Sequence, residues 1–91
     1  MATTLNFTLT NGEYISDEIT PSENAVTLNV VTSDGKEHNL VVEHSINGNY
    51  WQFCGNMRFF DGTEITVDGL RKNVQKVRFR LDAKPKTAEW C

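Results

Sequence analysis

The sequence contains no long apolar run and no signal-peptide pattern. The first ten residues, MATTLNFTLT, carry no basic residue and no apolar stretch of the length that a secretory leader requires. No segment approaches the roughly 20 consecutive apolar residues of a membrane-spanning helix. We therefore expect a protein that is made in the cytoplasm without a signal peptide and that has no membrane partner.

Cysteine and proline are scarce, with two residues of each. Cys54 lies in the middle of the chain and Cys91 at its end, and no CxxC spacing is present. Small domains that depend on disulfides carry more cysteines than this, so we predict two free thiols in a reducing compartment. The scarcity of proline and the 38% content of hydrophobic residues are typical of a globular chain and not of a disordered one.

Motifs for catalysis, metal binding and cofactor binding are also missing. No serine or cysteine lies in a nucleophile motif such as G-x-S-x-G. His38 and His44 share a face of one predicted strand, but Cys54 is expected on the opposite face from His44, and a fourth ligand at zinc spacing is lacking. We therefore predict a non-enzymatic protein with no catalytic residue, no metal site and no cofactor.

The glycines predict an all-β fold. Asn-Gly and Asp-Gly reach positive φ easily, which tight hairpin turns require. No window of the sequence shows a sustained helical period of 3.6 residues. Five of the six glycines follow Asn or Asp, at Asn11-Gly12, Asp34-Gly35, Asn47-Gly48, Asp61-Gly62 and Asp68-Gly69.

The length of 91 residues suits a single domain with one modest core. About seven short strands between the turns predict a small antiparallel β-sandwich, immunoglobulin-like or jelly-roll-like, and a partly open β-barrel is the alternative. The first strand is predicted over Thr4–Thr10 and the last over Val74–Leu81. Since Pro85 cannot continue that last strand, we expect residues 83–91 to form a short C-terminal tail of the domain 1–91.

Alternation of apolar residues predicts how the middle strands pair. One strand has an apolar face formed by Val26, Leu28 and Val30. The next strand has an apolar face that includes Leu40. A three-residue loop over 33–35 would place Leu28 opposite Leu40. We therefore predict that these two strands form a hairpin.

The segment INGNYWQFCGNMRFFDG holds five of the nine aromatic side chains. A two-residue turn at 47–48 would pair Val42 with Phe53, because this register keeps the apolar residues on one face. Trp51 and Phe53 would then face the core, and Tyr50 would face outward. The segment is therefore predicted to be mainly core, with Tyr50 left for contacts.

The same turn would place His44 opposite Trp51. Gly55 predicts a bulge or bend in the following strand. Beyond that bend, Phe59 and Phe60 are adjacent and cannot both face the core of a regular strand. One of these two rings is therefore expected to be exposed.

The net charge of −3 hides an uneven distribution. Residues 1–45 carry seven acids and one base, whereas residues 46–91 carry five acids and eight bases. Lys76, Arg78 and Arg80 alternate with apolar residues, and we interpret them first as an outward strand face paired with acids of the adjacent strand. Contact with the acidic half of another copy and a groove for phosphates are the alternatives, and the pI of about 5.2 argues against the second of these.

These features favour a structural or assembly protein that acts through protein partners, either its own copies or a larger assembly. An accessory, cement or decoration component incorporated into a virus particle is one such protein. A carbohydrate-binding or adhesion module with exposed aromatics is the first alternative, and a single-stranded nucleic-acid-binding protein is the second. The residues expected to contact the partner are Tyr50, Phe60, Arg78, Arg80 and Trp90.

Overall fold

A computed structural model describes residues 2–72 and 75–91. The described residues form strands, turns and loops, and no helix occurs among them. The last predicted strand began at Val74, which lies outside the described residues. The strands are β1 (Thr3–Thr4), β2 (Phe7–Thr10), β3 (Glu13–Ser16), β4 (Val26–Val31), β5 (Glu37–Ser45), β6 (Gln52–Phe60), β7 (Glu64–Val67), β8 (Lys76–Leu81) and β9 (Thr87–Trp90).

The nine strands form two antiparallel sheets. The four-stranded sheet has the order β1-β9-β4-β7, and the five-stranded sheet has the order β2-β3-β8-β5-β6. This arrangement confirms the predicted all-β sandwich. The number of strands exceeds the predicted seven partly because the first predicted strand is divided between β1 and β2, which belong to different sheets.

The core lies between the two sheets. Inward-facing side chains alternate with outward-facing ones along β4, β7 and β8, as expected for strands with one buried face. Half-buried Phe7, Tyr14, Met57 and Trp90 pack against the core from its margins. The buried hydrophobic residues are Leu5, Ile19, Val26, Leu28, Val30, Leu40, Val42, Phe59, Ile65, Val67, Leu70, Val77, Phe79, Leu81 and Ala88.

The predicted hairpin of the strands now labelled β4 and β5 is wrong. These strands lie in different sheets, so the segment between them crosses from one sheet to the other. Asp61 supports the crossing, because its carboxylate accepts hydrogen bonds from the backbone N–H groups of Thr32 and Ser33 at 2.6 and 2.7 Å. Leu28 and Leu40 both face the core as predicted, but from opposite sheets.

The segment predicted as a C-terminal tail contains a strand of the sandwich. β9 lies between β1 and β4, with Ala88 paired to Val30 and Trp90 paired to Leu28. Ala88 is buried and Trp90 packs against the core, because residues two apart in a strand share a face. β8 ends before Pro85, as predicted, but the chain forms a further strand that begins two residues after this proline.

Among the residues that the structure describes, no helix is long and apolar enough to cross a membrane.

Candidate functional site

The hairpin of β5 and β6 has a wider loop than the predicted two-residue turn. β5 ends at Ser45 and β6 begins at Gln52, so six residues connect them. Ser45 Oγ accepts hydrogen bonds from the backbone N–H groups of Asn47 and Gly48 at 3.3 and 2.8 Å. The Asn47 side-chain oxygen accepts N–H groups from the two residues that follow Gly48. These local side-chain bonds compete with a tight turn and stabilise the longer loop.

The wider loop changes the strand register. Glu43 pairs with Phe53 and Val42 pairs with Gly55, which leaves Cys54 as the extra residue of a β-bulge. This confirms the bulge predicted at Gly55. The predicted pairing of Val42 with Phe53 is wrong, and Phe53 faces outward with 62% of its surface exposed. A shift of one residue moves a strand side chain to the other face of the sheet.

The pairing and the position of Trp51 also differ from those predicted. His44 pairs with Gln52 and not with Trp51. The guanidinium carbon of Arg78 lies 4.2 Å from the centre of the Trp51 ring, which is within the range of a cation–π contact. Since Arg78 belongs to the outward face of β8, Trp51 is held against that outer face and not in the core.

The hairpin carries most of the exposed large hydrophobic side chains of the described residues. Phe59 is buried and Phe60 is 63% exposed, so the expectation that one of these rings is exposed is confirmed. Another exposed residue of this kind, Leu9, lies in β2 at the opposite edge of the same sheet. We use the name hairpin surface for the four exposed side chains of the β5–β6 hairpin, Ile46, Tyr50, Phe53 and Phe60.

The outward basic side chains of β8 form ion pairs within the chain. The buried carboxylate of Glu43 contacts Arg78 at 2.8 Å and Arg80 at 3.1 Å. Arg80 also pairs with Glu13, and Lys76 pairs with Glu18 at 3.6 Å. The interpretation of this stripe as a face paired with acids of neighbouring strands is therefore supported.

This network gives a structural role to Arg78 and Arg80, which were predicted to contact a partner. The hydrogen bonds that Arg80 donates to Glu13 and Glu43 raise the pKa of Arg80, so its positive charge is held inside the network. Arg78 is engaged by both Glu43 and Trp51. The two guanidinium groups thus already have carboxylate partners in their own chain, and the attraction between the acidic and basic halves operates within one molecule.

A second cluster surrounds the buried His38 ring, which the sequence analysis treated only as a polar strand residue. Nδ1 lies 2.9 Å from Asp82 Oδ1, and Nε2 lies 2.8 Å from Asp34 Oδ2. The hydrogen bond to Asp34, with a further one to Asp82, raises the His38 pKa. The bond to His38 in turn lowers the Asp34 pKa from 3.8 to about 2. Nothing in the sequence indicated either carboxylate, because a spacing of four residues brings side chains together on a helix and not between a loop and a strand.

The two carboxylates bind opposite nitrogens of the His38 ring, so the three side chains do not converge on one point. Among the described residues, no group of three or more His, Cys, Asp or Glu side chains is arranged to hold a metal ion. Cys54 and Cys91 are exposed free thiols. The His38 cluster therefore acts as a link between the β4–β5 connection and the end of β8.

The stability of the fold is expected to depend on pH through this cluster. The folded state holds protonated His38 more tightly than the unfolded chain does, so its contribution is fully present below about pH 6.5 and is lost as the pH rises through the raised pKa. The Asp34 contribution has the opposite sign and is lost as the pH falls from about 4 toward a pKa of about 2. Urea unfolding at pH 6 and pH 8 measures the His38 part.

The His38→Gln variant is the control for this pH dependence, because it should lose less stability than the wild type between pH 6 and pH 8. An NMR titration of the His38 ring tests the cause directly. A ring that titrates at the ordinary histidine value would contradict the link.

Trp90, a further predicted contact residue, has a structural position. It is half-buried, packs against the core, and pairs with Thr3 and Leu28 through the backbone of β9. The short tail expected at the C-terminus therefore contains a strand of the four-stranded sheet. Tyr50 and Phe60 are the predicted contact residues that the structure places on an exposed surface without an ion-pair or core role.

Comparison of the chain with protein-family models, with curated proteins and with solved structures gives no match.

Proposed function

We propose that this protein is a non-enzymatic structural component of a multi-copy assembly and that it joins its partners through the edge of β6. The partners are protein subunits, either further copies of the chain or the subunits of a larger particle. An accessory or cement protein of a virus particle is one instance of this class. The observation that carries the proposal is the pair of exposed phenylalanines, Phe53 and Phe60, on a long sheet edge.

The edge of β6 has the properties of an interface. Within the described residues, β6 pairs with β5 on one side and with no strand on the other. It is nine residues long, contains neither lysine nor proline, and exposes Phe53 and Phe60. Exposed edges are normally short or carry charges or prolines, because an open ladder of N–H and C=O groups attracts other strands. β6 has a bulge at Cys54 and one charged side chain, Arg58, which is paired with Glu37. The two exposed phenylalanines on the same strand favour a protein partner.

The charge distribution supports apolar burial as the force behind the proposed association. The outward bases of β8 are engaged by Glu13, Glu18 and Glu43 of the same chain. Arg58, the charged residue of β6, pairs with Glu37 at 3.1 Å. Because these charges are matched internally, we expect contacts between copies to depend on apolar burial and to change little with salt. The same pairings weaken the case for nucleic-acid binding, which needs cations available to phosphates.

Replacing both rings at the β6 edge, Phe53→Ser with Phe60→Ser, is expected to weaken association about a hundredfold or more. Both side chains are exposed, so the fold should remain intact. Sedimentation equilibrium over a range of protein and salt concentrations measures the effect. The wild type should associate at all salt concentrations, and the double variant should be monomeric.

Leu9→Ser is the matched control, because it removes an exposed apolar side chain from the other edge of the same sheet. It should associate like the wild type. A wild-type chain that stays monomeric and does not co-purify with any larger particle would contradict the proposal. Association that disappears at moderate salt would assign the contact to charges and not to β6.

A further inference from the structure

A cleft lies beside the tip of the β5–β6 hairpin. It opens between the end of β5, the six-residue loop and the segment that precedes β8. Its volume is about 270 Å³, slightly below the roughly 300 Å³ at which sites for drug-sized ligands begin. The cleft is therefore large enough for one small ring. Its lining residues are His44, Ser45, Ile46, Tyr50, Trp51, Gln52 and Gln75.

Two polar side chains of the cleft are held in place by a hydrogen bond between them. The buried Gln75 places its Nε2 atom 2.7 Å from His44 Nδ1. An amide nitrogen donates, so Nδ1 of His44 accepts this hydrogen bond. The Nε2 atom of the same ring is left for a second hydrogen bond. Gln52 adds an exposed amide that both donates and accepts.

The aromatic side chains of the cleft are held in two different ways. Trp51 is half-buried and fixed by the Arg78 guanidinium on its ring. Tyr50 is 82% exposed and has a hydroxyl group beside an apolar ring. An exposed ring of this kind can stack on the apolar face of a ring-shaped ligand without a change in the fold.

We propose that this cleft binds a single neutral pyranose ring, as part of a saccharide. A pyranose has an apolar C–H face for Tyr50 and equatorial hydroxyl groups that donate to and accept from side-chain amides and an imidazole. The lining carries no Asp, Glu, Lys or Arg, so it lacks the opposite charge that an anionic or cationic ligand would need. The nearby cations Lys76 and Arg78 are engaged by Glu18 and Glu43.

NMR titration of the ¹⁵N-labelled chain with methyl glucopyranoside, methyl galactopyranoside and N-acetylglucosamine tests the site. At least one of these probes should shift the Trp51 indole signal and the side-chain amide signals of Gln52 and Gln75, with a dissociation constant in the millimolar range. Sorbitol, which has the hydroxyl groups without the ring, should cause no comparable shift. Titration with uridine tests whether the cleft accepts a flat base instead.

Tyr50→Ala should weaken binding of the responding probe about tenfold, and Tyr50→Phe should retain most of it. Phe60→Ala removes an exposed ring outside the cleft and should bind like the wild type. Repeating the titration in the Phe53→Ser, Phe60→Ser background separates this site from the proposed assembly edge, because the cleft should bind equally well there. The proposal is overturned if none of the pyranosides binds at up to about 50 mM, if Tyr50→Ala has no effect, or if uridine binds the same residues more tightly.

Discussion

Removal of residues 87–91 is expected to leave the chain unfolded at room temperature. The deletion removes β9 from between β1 and β4, so β1 loses its only partner strand among the described residues and β4 keeps only β7. It also exposes Leu28 and Val30, which are fully buried in the intact protein. Each large apolar side chain returned to water costs about 1.5–3 kcal/mol, and small domains have only about 5–15 kcal/mol of stability in total. Near-ultraviolet circular dichroism and NMR dispersion measure the result.

Two point variants separate the role of β9 from an effect of chain length. Ala88→Asp places a carboxylate in the core and should be strongly destabilising, by several kcal/mol. Glu89→Gln changes the neighbouring exposed side chain and should change the stability by no more than about 0.5 kcal/mol. A truncated chain that retains dispersed signals and a cooperative transition would restore the prediction of a dispensable tail.

Glu43→Ala is expected to destabilise the protein by about 2–3 kcal/mol. Breaking a buried ion pair by removing one partner typically costs 3–5 kcal/mol, because a charge is left without compensation. The side chains of Arg78 and Arg80 keep 23% and 31% of their surface exposed, so water will screen part of this cost. The replaced carboxylate also holds Arg78 over Trp51, so the Trp51 fluorescence should change as well. Urea unfolding at pH 7, with an unchanged slope, measures the loss.

Glu37→Ala is the matched control on the same strand. Glu37 pairs with Arg58, whose side chain is 71% exposed, so its removal should cost no more than about 0.5 kcal/mol. Equal losses for the two variants would mean that the Glu43 network is as well solvated as a surface pair. The supporting role that we assign to it would then be wrong.

The errors in the β5–β6 hairpin have one origin. Alternation identified the core residues of β5 correctly, but the register of β6 depended on the length of the loop at Asn47. Ser45 and Asn47 can hold a longer loop through side-chain hydrogen bonds, and these bonds outweighed the tight turn. As a consequence, Phe53 faces outward and not toward the core. The pattern of apolar residues could not show this, because it assigns every apolar side chain to the buried face.

Other parts of the site were accessible from the sequence. The bulge at Gly55 and the exposure of one of two adjacent phenylalanines follow from the period of two in a strand. The pairing of the β8 bases with acids was the favoured interpretation, although the sequence named neither Glu43 nor Glu13 as a partner. The cleft beside Tyr50 could not be predicted, because Gln75 is brought to His44 from a residue separation of 31.

The all-β class, the positive φ of the glycines that follow Asn or Asp, and most of the side chains that face the core could be read from the amino-acid sequence. These properties are local, because they depend on backbone preferences and on the alternation of neighbouring residues. The tertiary structure alone decided which strands share a sheet, that β9 completes the four-stranded sheet, and which carboxylates meet Arg78, Arg80 and His38. These outcomes depend on contacts between residues far apart in the chain. The apolar face of a strand can be buried equally well whether the next strand lies beside it in the same sheet or across the core in the other sheet, so the pattern of apolar residues does not distinguish the two arrangements.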